Sequence, residues 1–199
     1  MKGKVATRYA AMALSVALGA FVVLGRFDAS EVPYVVAFQN AVAQSGTMWI
    51  FEAITITGDF FVWAGLALLL LVVDFRRPRE ALKLLLFLAS VSVATALLKY
   101  GLNRPRPFQG FPDLVRAYAN EDMASYPTGH VARAAGGTYL LARGSKVLNA
   151  VFALMVLLLA LSRVALGVHY FTDTLGAALL SYPLGAIVND LKLFERLKV

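Results

Sequence analysis

The 199-residue sequence predicts an all-α polytopic membrane protein, one domain over residues 1–199 built as a six-transmembrane-helix bundle. Three observations predict it. Hydrophobic residues make up 59% of the chain and charged ones only 16%, far from the make-up of a water-soluble domain. Several apolar stretches approach the ~20 residues with which a helix crosses ~30 Å of hydrocarbon, and none alternates with the period of two that marks a strand. The basic residues gather beside these stretches rather than along one soluble amphipathic face.

The elements follow in order. "MKGKVATR" leads into the first expected span, 8–25, in the manner of a secretory leader, but hydrophobicity continues through "SVALGAFVVLG" with no cleavage site, so a retained helix is expected. The segment "DASEVPYVVAFQNAVAQSGTMW" carries Pro33 near a possible helix start and is expected to lie along the interface. A second span is expected at 54–73, with Asp59 as a cap near its start, and a third at 81–101. The stretch from Asn103 to Pro127 holds Pro105, Pro107, Gly110 and Pro112 and reads as a loop or lid. The fourth span, 129–143, is short, rich in small residues and contains Arg133, which suits a helix buried among neighbours. Spans at 147–165 and 171–188 complete the bundle.

Orientation follows from charge, because basic residues in short loops stay cytoplasmic. Lys2, Lys4 and Arg8 precede span one, Arg76, Arg77 and Arg79 join spans two and three, Arg143 and Lys146 join four and five, and Lys192, Arg196 and Lys198 follow six. All four groups fall on one side of a six-span chain. Both termini are therefore expected in the cytoplasm of a multi-pass cell-membrane protein. Lys99, Arg104, Arg106 and Arg116 break the rule on the extracytoplasmic side and call for a functional explanation.

A formal charge of +7 points to anionic membrane lipids rather than nucleic acid, given where the cations sit. No obligate protein partner is evident. The absence of cysteine excludes disulfides, thiolate metal sites and a cysteine nucleophile.

Three separated stretches, "KYGLNRPRP" (99–107), "YPTGH" (126–130) and "SRVALGVHYFTD" (162–173), all fall at expected helix ends on the extracytoplasmic side. Lys99, Arg106 and Arg163 are able to surround a phosphoryl group and neutralise its equatorial oxygens. In the "PTGH" turn, Gly129 permits close backbone approach, Thr128 offers a hydroxyl, and the helix that follows presents unpaired N–H groups, an anion site that needs no metal or cofactor. His130 is placed to protonate a leaving oxygen, and His169 is the candidate nucleophile. Asp173, four residues on, would share a helical face with His169 and fix its tautomer. Arg163 and His169 are six residues apart and do not share a face of a continuous helix, so a bend is expected at Gly167.

These residues resemble the three-part signature of the type 2 phosphatidic acid phosphatase family, which also includes vanadium haloperoxidases: K-x6-RP, PSGH and SR-x5-H-x3-D. The pieces here are Lys99 with Arg106 and Pro107, Pro127 to His130, and Ser162, Arg163, His169 and Asp173. The order and both internal spacings agree over a motif core of 99–173. Thr128 departs from the usual serine; it keeps the hydroxyl and adds a methyl. The resemblance implies a metal-independent membrane phosphatase with the active site at the extracytoplasmic helix ends. In it Lys99, Arg106, Thr128, Gly129 and Arg163 bind phosphate, His130 is the general acid, and His169 attacks with Asp173 behind it.

The expected substrate is a lipid phosphate, hydrolysed through phosphohistidine, with a polyprenyl diphosphate such as undecaprenyl diphosphate favoured and phosphatidylglycerol phosphate, phosphatidate or lipid A as alternatives. A non-catalytic lipid transporter or binding protein is the rival from another class, and vanadium-dependent halide oxidation a third reading. Arg104 reads as a solvated loop charge or an aid to binding. Arg133 reads as a contact to a second phosphate, a buried ion pair or a snorkelling side chain, and Phe108, Phe111 and Tyr118 read as interfacial anchors ahead of contacts to a lipid tail or headgroup.

Overall fold

The computed structural model describes residues 2–25, 27–73, 75, 78–121, 124–142 and 144–192, with the side chains of residues 2–4 left aside. Among them lie nine helices and no strand: α1 (Lys2–Leu24), α2 (Asp28–Gln44), α3 (Met48–Ile56), α4 (Phe60–Val73), α5 (Arg79–Leu102), α6 (Pro107–Gly110), α7 (Gly129–Ala142), α8 (Lys146–Ala165) and α9 (Phe171–Asn189). Arg76, Arg77, Arg143, Arg196 and Lys198, five of the charges used to orient the chain, fall outside the described residues, as do the side chains of Lys2 and Lys4.

Helices occupy all six positions expected from the sequence, yet the crossing count is lower. Four helices, α1, α5, α8 and α9, are long and apolar enough to cross a membrane, and α3 with α4 makes a fifth if that bent pair is one span. The expected second span is two helices, not one: α3 and α4 meet at 43°. The Thr57 hydroxyl turns back to the Ile54 carbonyl at 2.7 Å, and Asp59 Oδ1 caps α4 by accepting from the Phe61 N–H at 2.7 Å.

Helix α7 has 14 residues, ~21 Å of rise against ~30 Å of hydrocarbon. Its composition explains its place at the centre. A stripe of alanine and glycine allows it to pack closely on α9, α8 and α5. At the α7–α9 crossing, a Cβ on Gly185 would stand 2.7 Å from the Gly136 carbonyl oxygen, so only glycine permits this approach. Trp63, Leu84, Phe87, Val91, Val131 and Leu159 fill the surrounding core. Outward faces carry large apolar side chains, among them Phe21, Val72, Leu97 and Leu154, as a lipid-facing surface requires.

Helix α2 is more than an interfacial segment. Pro33 lies inside it, Val35 is fully buried, and its inner face packs on α8. The helix ends sort into two groups. Arg8 of α1 pairs with Asp190 after α9 at 2.6 Å, and Lys83 of α5 donates to Asn189 at 2.8 Å. At the other end the close of α5, the start of α7, the close of α8 and the start of α9 come together.

Candidate active site

Helix α8 delivers Arg163 in its last turn and closes at Leu166. Gly167 then takes φ +73°, and a Cβ there would run into the Arg116 carbonyl oxygen, so the bend expected at this glycine is present and has no room for a side chain. Gln39 of α2 pins both sides of the bend. Its Nε2 donates to the carbonyls of Arg116 (2.8 Å) and Ala165 (3.0 Å), and its Oε1 accepts the Arg116 N–H at 3.0 Å.

The chain reaches α9 with Tyr170 as the flanking residue, and Asp173, at the third helical position, accepts the Tyr170 N–H at 2.9 Å. His169 thus precedes the helix, contrary to the helical turn expected over 169–173. Its Nδ1 nonetheless lies 3.2 Å from Asp173 Oδ2, because the capping geometry folds the carboxylate back toward the residues before the helix. Asp173 also receives the Ser125 hydroxyl on Oδ2 and Arg104 Nη1 on Oδ1, the latter at 2.7 Å. On the far edge of the imidazole, Arg106 Nη1 is 3.1 Å from Nε2 and 2.8 Å from the Val168 carbonyl. A guanidinium only donates, so Nε2 presents its lone pair and Nδ1 carries the proton toward Asp173.

Arg106 and Arg163 are both buried and converge on one carboxylate. Glu121 Oε2 is 3.3 Å from Arg106 Nη2, and Glu121 Oε1 pairs with Arg163 Nη2. Arg163 Nη1 donates to Thr55 of α3 at 2.6 Å, and its Nε has no partner among the described residues. Thr128 is fully buried at the start of α7 with its hydroxyl also unpartnered, beside a helix terminus whose first N–H groups lack intrahelical acceptors. Arg163 Nε and the Thr128 hydroxyl are thus two buried donors without a partner among the described residues.

A cavity of about 240 Å³ is lined by Lys99, Glu121, Gly129, His130, Arg133 and His169, with Ser92, Thr95 and Ala96 of α5. Lys99 Nζ donates to the Ala124 carbonyl at 2.7 Å. Of the eight residues singled out in the sequence, Lys99, Gly129, His130 and His169 line the cavity, Arg106 touches His169, and Arg163 reaches the site through Glu121. Asp173 backs His169, and Thr128 lies behind, its N–H 3.4 Å from the Asp173 carbonyl.

Sequence reasoning missed other residues. Arg104 is no solvated charge: it is fully buried, donates to Asp28 (2.8 Å), Glu31 (2.6 Å), Thr172 (2.7 Å) and Asp173, and lies 4.0 Å from the Tyr170 ring centroid. Burial opposes its charge, but Asp173, Glu31 and Asp28 outweigh that and hold it above the ordinary arginine range. Burial pushes the Tyr170 phenol up as well, with Asp28 adding to the effect. Glu121 and Glu31 had no motif to mark them; the available signal was that buried arginines require carboxylates. Phe108 and Phe111 are partly buried and pack on the Val115–Tyr170 cluster.

The sequence model of the PAP2 superfamily matches residues 80–194. Among solved structures, a transmembrane PAP2-type phosphatidylglycerolphosphate phosphatase from Bacillus subtilis aligns with a TM-score of 0.76 at 22% identity, over 92% of this chain and 94% of that one. LpxE from Aquifex aeolicus aligns with a TM-score of 0.64 at 24% identity, over 72% of this chain and 86% of its own. At such identities the likeness is one of fold. No curated protein sequence matches the chain.

Proposed function

This chain belongs to the PAP2 superfamily, and from that premise we propose that it is an integral-membrane lipid phosphatase working through a phosphohistidine intermediate. One observation carries the reading: Arg106 and Arg163 grip the two oxygens of a single carboxylate directly beside the unprotonated edge of His169. In this reading two equatorial phosphoryl oxygens replace the Glu121 oxygens, and Arg106 Nη1 turns from Nε2 to the phosphoryl group, which frees the lone pair for attack.

In the proposed reaction Lys99, Arg106, Arg163, the Thr128 hydroxyl and the Gly129 N–H hold the phosphoryl group. His169 Nε2 forms the P–N bond as the ester P–O bond breaks, and His130 donates its proton to the departing oxygen. Asp173 stabilises the charge that develops on the His169 ring. Water, giving a proton back to His130, then cleaves the P–N bond and releases phosphate. No step calls for a metal ion.

We read the chain as one domain, 1–199, with the bent α3–α4 pair as one span and the short α7 as another, giving six. The basic residues at the Arg8, Arg79 and Lys146 end support cytoplasmic termini and an extracytoplasmic site. A site at helix ends admits a headgroup while its hydrocarbon chain stays in the bilayer. A polyprenyl diphosphate such as undecaprenyl diphosphate is the favoured substrate, with phosphatidylglycerol phosphate, phosphatidate and lipid A phosphates as the alternatives.

Phosphate release by the purified protein from a panel of these lipids tests the proposal. Turnover of at least one, abolished in a folded His169→Ala variant, is expected. Undiminished hydrolysis by that variant would remove His169 as nucleophile, and no hydrolysis of any lipid phosphate would remove the phosphatase reading.

A further inference from the structure

Arg133 is a cation of the cavity that the reaction above leaves unused. It stands one turn after His130 on α7, so the two side chains leave the same flank of the helix, and both line the 240 Å³ cavity. Its position is fixed from one side only. Nε donates to the Gly58 carbonyl at 3.0 Å, in the turn between α3 and α4, and Nη1 rests against Gly129, where a Cβ would stand 3.0 Å away.

The terminal nitrogens of Arg133 make no hydrogen bond or ion pair among the described residues; Asp59 and Glu121 act on it only through space. The buried ion pair that the sequence allowed is therefore not formed there. Arg106 and Arg163, by contrast, already meet two oxygens of one anion. A guanidinium whose terminal nitrogens turn into a pocket without an anion gives up part of its hydration, and a ligand anion restores that loss.

Resting on the proposed role of His130, the placement has a direction. If His130 hands its proton to the leaving oxygen, a cation one turn further along the same flank lies on the leaving-group side. We infer that Arg133 binds a second anionic group carried by the leaving group. The substrates it favours are lipid phosphates whose leaving group is itself an anionic phosphoryl ester, as in a prenyl diphosphate or a glycerophosphate-linked phosphodiester. Those that depart as neutral alcohols, as prenyl monophosphates and phosphatidate do, are disfavoured.

Two matched pairs test this: farnesyl diphosphate against farnesyl phosphate, and phosphatidylglycerol phosphate against phosphatidate. The unmodified protein is expected to show higher kcat/KM for the first member of at least one pair, which also tells which source of the second anion the site accepts. Arg133→Gln is expected to reduce that preference roughly tenfold, the loss of one charge-assisted contact, while leaving the neutral-alcohol substrate within about twofold. Equal losses on both members would assign Arg133 to holding the α3–α4 turn, and no loss on either would leave it without a role; both results overturn the inference.

Preference in the unmodified protein needs no variant, so its absence overturns the inference even if Arg133→Gln does not fold. Binding separates failure here from failure of the phosphatase reading. Farnesyl methylenediphosphonate should bind the unmodified protein more tightly than farnesyl phosphonate, and Arg133→Gln should lose the difference, whether or not any lipid is hydrolysed. Equal binding of the two analogues by the unmodified protein counts against Arg133 alone.

Discussion

Arg104 Nη1 lies 2.7 Å from Asp173 Oδ1, and both side chains are fully buried. The other oxygen of that carboxylate faces His169, so Arg104 sets the imidazole without lining the cavity. Loss of Arg104 leaves Asp28, Glu31 and Asp173 as close, uncompensated carboxylates. Arg104→Ala is expected to destabilise the protein by about 3–5 kcal/mol, as breaking buried ion pairs does. Arg104→Lys keeps the charge but not the fork, which here serves three carboxylates. It should fold, lower kcat, and leave KM within about twofold. Thermal melting in detergent together with steady-state kinetics checks both; a lysine variant with unchanged kcat would make the pair purely structural.

In the proposed reaction a phosphoryl group takes the place of the Glu121 carboxylate, so substrate and carboxylate compete for Arg106 and Arg163. Glu121→Gln replaces a charged ligand of two guanidiniums with a neutral one. Vanadate and inorganic phosphate should then inhibit at concentrations lower by roughly tenfold, about what one charge-assisted contact contributes. The same variant should melt at a lower temperature, because two buried arginines lose their countercharge, and added phosphate should restore the difference by binding the folded state. Inhibition constants and melting curves with and without phosphate measure both effects. An unchanged vanadate constant would mean that Glu121 leaves the seat at no cost.

What the sequence made legible was what repeats or has fixed spacing. Apolar runs located the helices, and the spacing of Lys99 to Arg106 and of Arg163 to His169 to Asp173 located the helix ends that meet. Long-range complementarity was not legible. Arg104 reads as a loop charge until α2, more than 70 residues earlier, brings Asp28 and Glu31 against it. Glu121 carries no motif because any anion satisfies two arginines. The break between α3 and α4 also escaped, since the polar Thr57–Asp59 is only three residues long between apolar runs, and its Thr57 and Asp59 side chains take over the backbone's hydrogen bonds. The His169–Asp173 contact was expected through helical spacing, whereas it arises from an N-terminal cap.

Gly167 offers a test of the bend. Its φ of +73° disfavours any residue with a Cβ by about 1–2 kcal/mol, and the Cβ would also meet the Arg116 carbonyl. Gly167→Ala must move either the loop at Arg116 or the segment that joins Arg163 to His169. Activity is therefore expected to fall by roughly a hundredfold, a loss typical of misplaced reacting groups, with a lower melting temperature. A control at Gly46, whose Cβ meets nothing within 4 Å, shares the positive φ but lies away from the site. Gly46→Ala should lose some stability and keep its activity. Equal activity losses at both positions would mean that the bend has no special part in catalysis.

In the proposed reaction the two histidines need opposite protonation states, and that asymmetry is measurable. His169 must be neutral to attack, and His130 must be protonated to release the leaving group. A reaction that needs one imidazole neutral and the other protonated gives a bell-shaped dependence of rate on pH. Substituting His130 should cost about 10²–10⁴-fold on a lipid alkyl phosphate, whose alkoxide needs a proton, and flatten the alkaline limb. On a nitrophenyl phosphate, whose phenolate departs unaided, the same variant should lose far less. His169→Ala should be inactive on both, since no P–N bond forms. EDTA should leave the unmodified enzyme's rate unaltered on either substrate, and vanadate should inhibit it. Measured across pH with the two leaving groups, a His130→Ala variant that lost equally on both would be acting in phosphate binding, and the proton donor would have to be sought elsewhere in the cavity.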